Sequence, residues 1–190
     1  MRKLILQMQV SIDGFVADAQ GDTSWLVRDW DEPLKSYALA LTEPVDLILM
    51  GRKTADHMLP AWAARAGDAD IADAYTHRVN DLPKVVFSRT QTDHGWTNTA
   101  LINEDLAEEV FLLKKSPGGD MITYGGGSLA ATLIQEGLVD EFHLFVNPIA
   151  IGKGLPIFHL LEKQLPMKLM QATSFSCGIV VLFYQPQYHR

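Results

Sequence analysis

Val45-Asp46-Leu47-Ile48-Leu49-Met50-Gly51-Arg52-Lys53-Thr54 is the stretch on which the fold turns. Residues 45–50 form a short apolar run, the pattern of a strand buried on both faces of a parallel sheet. Gly51 stops the run. In open α/β sheets ligands bind beyond the carboxyl ends of the strands, and free N–H groups at the start of the next helix hold phosphate. Gly51 lets the backbone approach a ligand closely, Arg52 and Lys53 add positive charge, and the Thr54 hydroxyl adds a hydrogen bond. Taken alone, the turn reads equally well as a tight bend with solvated basic residues.

Outward from this run the chain alternates strands and helices. Pro44 closes a helix expected over residues 32–42, where Leu34, Ala38 and Leu41 recur at helical spacing and Pro33 suits the first turn. Before it, Leu4, Leu6, Met8 and Val10 alternate with Ile5, Gln7 and Gln9, the period of a strand, which ends at Asp13-Gly14. Downstream, residues 55–81 are Ala-rich and read as a loop followed by a short helix, and residues 84–88 (KVVFS) as a buried strand. After a strand end at residues 100–102, Asn103 is expected to cap a helix with Glu104 and Asp105 in its first turn. Leu106, Val110 and Leu113 would be its buried stripe, with Lys114 and Lys115 at the negative end of its dipole. Residues 121–124 read as a strand, Gly125-Gly126-Gly127 as a tight bend, residues 128–136 as a helix ended by Gly137, and residues 139–146 as a strand.

This order implies right-handed crossovers and a mainly parallel sheet with helices on both faces. Residues 168–174 and 179–185 differ, reading as an antiparallel hairpin that turns at Cys177-Gly178. No linker or second core interrupts the pattern, so a single α/β domain spanning residues 1–190 is expected.

Bulk properties narrow the function. A net charge of −7 argues against a general nucleic-acid binder, which needs a basic face. The single cysteine, Cys177, forms no internal disulfide and fits a reducing compartment. The apolar N-terminal run is broken by Gln7 and Gln9, unlike a signal peptide, and no stretch is apolar for long enough to span a bilayer. A cytoplasmic protein without membrane partners is therefore expected. The histidines His57, His77, His94, His143, His159 and His189 lack metal-ligand spacing, so no metal site is expected.

Two further strand ends carry candidate chemistry. Gly125, Gly126, Gly127 and Ser128 again join a strand to a helix, and consecutive glycines cost about 0.5–1 kcal/mol each within regular structure relative to alanine. Such a run fits positive φ angles or a ligand pressed against the main chain. It also fits a plain crossover bend. Ala130 takes the final position of Gly-x-Gly-x-x-Gly, so the ordinary dinucleotide fingerprint is absent. At the third strand end, Ser88-Arg89 sets a hydroxyl beside a guanidinium, a pairing suited to a phosphomonoester.

Together these motifs resemble a known superfamily. Residues 48–54 (ILMGRKT) resemble the cofactor-binding strand and helix start of dihydrofolate reductase, residues 85–89 (VVFSR) its next nucleotide-binding strand, and residues 124–128 (YGGGS) its glycine turn. Residues 11–17 (SIDGFVA), Thr23-Ser24-Trp25, residues 137–141 (GLVDE), Pro148 and residues 152–158 (GKGLPIF) are similar to the reductase domain of the riboflavin-biosynthesis deaminase–reductase. The resemblance runs in order from Leu4 to the C-terminus.

It implies a dihydrofolate reductase-like, mainly parallel eight-stranded sheet that binds NADPH. Gly51, Arg52, Lys53, Thr54, Ser88 and Arg89 would hold the adenine-side phosphates and ribose, and Gly125, Gly126, Gly127, Ser128 and Leu129 the pyrophosphate. Val10 and the loop from Gly14 to Trp25 would flank the nicotinamide. Asp31 and Glu32 lie near the position of the carboxylate that supports protonation in dihydrofolate reductases. The riboflavin group usually has a glutamate before the glycine turn; here Tyr124 stands there, and Met58 stands where that group has an aspartate. The implied activity is hydride transfer to a small heterocycle, with 5-amino-6-(5-phosphoribosylamino)uracil as the named candidate. Dihydrofolate reduction and a non-catalytic NADPH-binding module are the alternatives. A homodimer using apolar terminal strands such as residues 179–184 is also implied.

Overall fold

The computed structural model describes residues 1–91 and 95–188. Its elements run β1 (Leu4–Ser11), α1 (Glu32–Thr42), β2 (Val45–Gly51), α2 (Arg52–Ala66), α3 (Ala74–Asp81), β3 (Lys84–Phe87), β4 (Thr99–Ile102), α4 (Leu106–Lys115), β5 (Asp120–Thr123), α5 (Gly127–Gln135), β6 (Glu141–Asn147), β7 (Met167–Ser174) and β8 (Val180–Pro186). The strands form one eight-stranded sheet in the order β4-β3-β2-β5-β1-β6-β8-β7. Pairings from β4 through to β6 are parallel. Strand β8 runs antiparallel to both β6 and β7, which makes the expected C-terminal hairpin.

Alternation along β1 decides which core each side chain joins. Leu4, Leu6, Met8 and Val10 pack with Val110 of α4 and with Leu129, Ala130, Leu133 and Ile134 of α5. Ile5 faces the other way, toward Ala55 and Leu59 of α2 and Val79 of α3. On that same side Leu34 of α1 packs on Phe145 of β6 and on Ile179 and Val181. Helices therefore cover both faces, as crossovers in a parallel sheet require.

Local expectations at two helices need correction. The stretch read as a loop and a short helix is two helices, the first beginning directly after Gly51. Pro60 lies inside it, on an exposed position, and only Ala55 and Leu59 are buried, so the helix shows little apolar periodicity. In α4 the N-cap is Asp105 rather than Asn103, its carboxylate accepting from the Ala107 and Glu108 N–H groups. Lys114 stands in the last turn of α4 as expected, and is buried. It turns inward to donate to the Leu138 carbonyl and pairs with Asp140.

Candidate cofactor and substrate site

Three parallel strands end side by side at the carboxyl edge of the sheet. In register, Gly51 of β2 stands opposite Phe87 of β3, and Leu49 of β2 opposite Thr123 of β5. The strand ends therefore bring the Gly51 segment next to Ser88 on one side and the glycine turn on the other. The Gly51 N–H reaches the Gly125 carbonyl at 3.4 Å. A β-carbon on Gly51 would lie 3.6 Å from Leu129 Cβ and 4.0 Å from the Gly126 nitrogen, and one on Gly126 would lie 2.8 Å from Thr54 Oγ1. Gly51, Thr54, Gly126 and Leu129 thus form one contact group, although they come from two separate chain segments.

Capping chemistry separates these helices from the rest. Helices α1, α3 and α4 begin with Asp31, Asp73 and Asp105, each accepting a hydrogen bond from a first-turn N–H. Helices α2 and α5 begin at Gly51 and Gly126, with no side-chain cap and no acidic residue in the first turn. Two neighbouring helices therefore present unsatisfied N–H groups and positive dipole ends to the same place. A groove of about 290 Å³ opens beside the first turn of α5, bounded by Gly127, Ser128, Leu155, Pro156 and His159; no residue of the α2 end lines it.

The other expected residues are placed as follows. Ser88 is nearly buried, and its hydroxyl accepts from the Gln91 N–H at 3.1 Å, fixing the turn that carries exposed Arg89. Arg52 is partly exposed and pairs with Asp56 one turn on, at 2.7 Å, while Lys53 is exposed. Val10 is buried in the core beside Met8. Trp25 donates to Asp22 within its own loop at 3.2 Å. The loop residue that reaches the glycine turn is Val16, 3.4 Å from a β-carbon placed on Gly127.

That loop is held by two residues that sequence reasoning did not assign to the site. Asn147, fully buried at the end of β6, accepts from the Val27 N–H at 2.9 Å and donates to Gln9 at 3.2 Å. Asp13 accepts from the Ser11 hydroxyl at 2.6 Å and from the Gly152 N–H at 2.7 Å. The Ser11 bond, followed by the backbone donors, holds its carboxyl below the usual range. An amide directly after the apolar run Leu144-Phe145-Val146 was the available signal for Asn147.

Both candidate proton donors have structural engagements. Asp31 Oδ1 accepts from the Leu34 N–H at 2.9 Å, and Oδ2 accepts from the Ser176 hydroxyl at 2.6 Å and the Cys177 N–H at 3.2 Å. The Ser176 bond, then the Leu34 N–H, lowers its pKa, the direction opposite to that of a proton donor. Glu32 is exposed and pairs with Lys35 at 2.7 Å. Among the described residues no three His, Cys, Asp or Glu side chains gather as a metal site. His94 and His189 lie outside the described residues.

A parallel-cored, eight-stranded sheet with a C-terminal hairpin and a glycine turn at its carboxyl edge defines the dihydrofolate reductase-like class. The chain belongs to the RibD C-terminal domain family, which matches residues 2–181. It is 35% identical over 183 residues to the uncharacterised protein YyaP of Bacillus subtilis (strain 168), covering 96% of this chain and 94% of that one. In fold it is similar to the diaminohydroxyphosphoribosylaminopyrimidine deaminase/5-amino-6-(5-phosphoribosylamino)uracil reductase of Thermotoga maritima, with a TM-score of 0.69 and 17% identity. That alignment covers 98% of this chain and 57% of that one. It is also similar to dihydrofolate reductase from Enterococcus faecalis complexed with NADP(H), with a TM-score of 0.65, 11% identity and coverage of 98% and 97%. No helix among the described residues is long and apolar enough to cross a membrane.

Proposed function

We propose that this chain is an NADPH-dependent reductase that transfers hydride to a small heterocyclic substrate. The observation that carries this reading is the pair of uncapped helix N-termini meeting at Gly51 and Gly126. A pyrophosphate there would accept from first-turn N–H groups of both helices, each charge-assisted bond contributing about 1.5–3 kcal/mol. Thr54 would add its hydroxyl, and Ser88, Arg52, Lys53 and Arg89 would meet the adenine-side phosphate and ribose. Val10, Val16 and Trp25 would flank the nicotinamide, with Asn147 and Asp13 keeping their loop in place. When bound, NADPH supplies the hydride; the chain supplies alignment, which can lower a barrier by about 7–11 kcal/mol.

The named candidate substrate is 5-amino-6-(5-phosphoribosylamino)uracil, which the family membership supports; dihydrofolate is the alternative that the fold also accommodates. NADPH oxidation with each purified compound tests the reading. Turnover with either supports it, and NADPH binding without turnover across a panel of reducible heterocycles favours a binding module. The commitment of Asp31 to capping is the observation that favours that second reading. We further propose a homodimer. Strand β8, which contains most of residues 179–184, lies inside the sheet, so the edge at the hairpin end is β7, with exposed Leu169 and Met170. Cytoplasmic location belongs to the same proposal.

A further inference from the structure

Strand β1 lies between β5 and β6, within the parallel part of the sheet and with helices on both faces. A strand so placed is expected to be apolar on both faces. Leu4, Leu6, Met8 and Val10 meet that expectation on one of them. The other begins with Ile5 but continues with Gln7, Gln9 and Ser11. On that side the apolar core is split, one cluster gathering under α2 and α3 and another under α1. Gln9 stands along this seam, in register with Phe145 of the second cluster. Every residue of β1 is buried except Gln9, which is partly open to solvent. Val27 and Trp30, the latter stacked on Phe145 with centroids 5.5 Å apart, are also partly open.

Hydrogen bonding fixes which end of the Gln9 amide faces outward. A backbone N–H only donates, so the Asn147 side-chain atom 2.9 Å from the Val27 nitrogen is the oxygen. Asn147 Nδ2 then donates to the Phe145 carbonyl at 3.1 Å and to Gln9 Oε1 at 3.2 Å. Because Asn147 is fully buried, this order is held by the fold. Gln9 therefore turns its oxygen inward and its nitrogen outward, and Nε2 donates to no group among the described residues. Carboxylates on the adjoining segments are already engaged, Asp13 by Ser11 and Gly152, and Asp31 by Leu34 and Ser176.

We propose that Gln9 is a substrate-contacting residue whose outward N–H donates to a carbonyl oxygen or a ring-nitrogen lone pair. The inference rests on the reductase reading above and adds a specificity-determining residue to it. A substrate presenting an N–H at that point would leave two donors facing each other, the kind of mismatch by which polar sites reject analogues. Met8, one residue earlier, borders the glycine turn, its Cε 2.5 Å from a β-carbon placed on Gly125. Val10, one residue later, is proposed to flank the nicotinamide. Both point to the face opposite Gln9, so β1 carries the cofactor turn on its α5 side and the open amide on its α1 side. Two ligands that exchange a hydride occupy adjoining places, and the end of β1 is where those two sides meet.

Calorimetric titration of the full chain, saturated with NADP+ so that no hydride moves, tests this. The probes are 5-amino-6-(5-phosphoribosylamino)uracil and dihydrofolate, compared in the parent, Gln9→Leu and Gln9→Glu. Gln9→Glu keeps an oxygen for Asn147 but replaces the outward donor with an acceptor. Both variants are expected to lose about tenfold in affinity for whichever probe the parent binds, with NADP+ affinity held within about twofold. The loss in Gln9→Glu is expected to persist in about 0.5 M salt, which screens simple charge repulsion. Parent-like affinity in Gln9→Glu would overturn the proposal, because the residue would then act only as the acceptor for Asn147. Unchanged affinity in Gln9→Leu, a loss confined to NADP+, or no binding of either probe by the parent would overturn it as well. A parent that binds NADP+ and a probe without any effect of Gln9 removes this inference alone. A parent that binds neither NADP+ nor NADPH removes the reductase reading, and this inference with it.

Discussion

Gly125 and Gly126 are adjacent, but each is glycine for a different reason. Gly125 has φ of +92°, and a β-carbon there would lie 2.5 Å from Met8 Cε. Gly126 has φ of −68°, which any residue adopts, and its β-carbon would meet only Thr54 Oγ1. Gly125→Ala is therefore expected to cost about 1–2 kcal/mol of stability through its left-handed backbone, seen as a lower Tm. Gly126→Ala is expected to fold with nearly the parent Tm, yet to lose NADPH affinity by about tenfold or more in calorimetry. The added methyl displaces Thr54 and closes the space between the two helix ends. At this scale the sequence disclosed the glycine turn and Thr54 because both follow apolar runs. It could not distribute roles among three identical residues, since φ is not written in composition.

Among the helices, an N-terminal aspartate serves structure and its absence leaves room for an anion. Asp105→Ala removes acceptors for the Ala107 and Glu108 N–H groups and is expected to cost about 1 kcal/mol without changing NADPH affinity. Ser128→Asp should do the reverse. A carboxylate in the first turn of α5 stabilises the helix by about 0.3–1 kcal/mol, so the ligand-free Tm rises slightly while NADPH binds more weakly. Paired thermal melts and titrations read both signs. An equal or higher affinity in Ser128→Asp would contradict an anion site at α5. Helix α1 was legible to the residue because Pro33 and Pro44 bracket it. The start of α2 was not, since Pro60 and scattered alanines erase the periodicity that marks a buried face.

Across the whole molecule, β1, β6 and α1 are joined by a polar chain away from the proposed cofactor site. Lys3 donates to Glu141 at 2.9 Å, Glu141 lies 3.7 Å from His143 Nε2, and the Tyr37 hydroxyl contacts His143 Nδ1 at 2.7 Å. His143, then Lys3, holds the Glu141 carboxyl at about 2, below its ordinary 4.5. A depressed carboxyl pKa stabilises the fold above the ordinary value, and that contribution is lost as pH falls toward about 2. Melts through that window should show a steep decline in Tm, flattened in Glu141→Gln; an unchanged slope would count against the linkage. The parallel core and the hairpin were legible here from the order of short apolar runs, whereas the split core between α1 and α3 was not, because no single segment encodes a seam. The most direct test of the central claim is a crystal structure of the chain with NADPH. The expected result places pyrophosphate oxygens within about 3.2 Å of N–H groups from the first turns of both α2 and α5. A nucleotide bound elsewhere, or one held by side chains with both helix ends vacant, would contradict it.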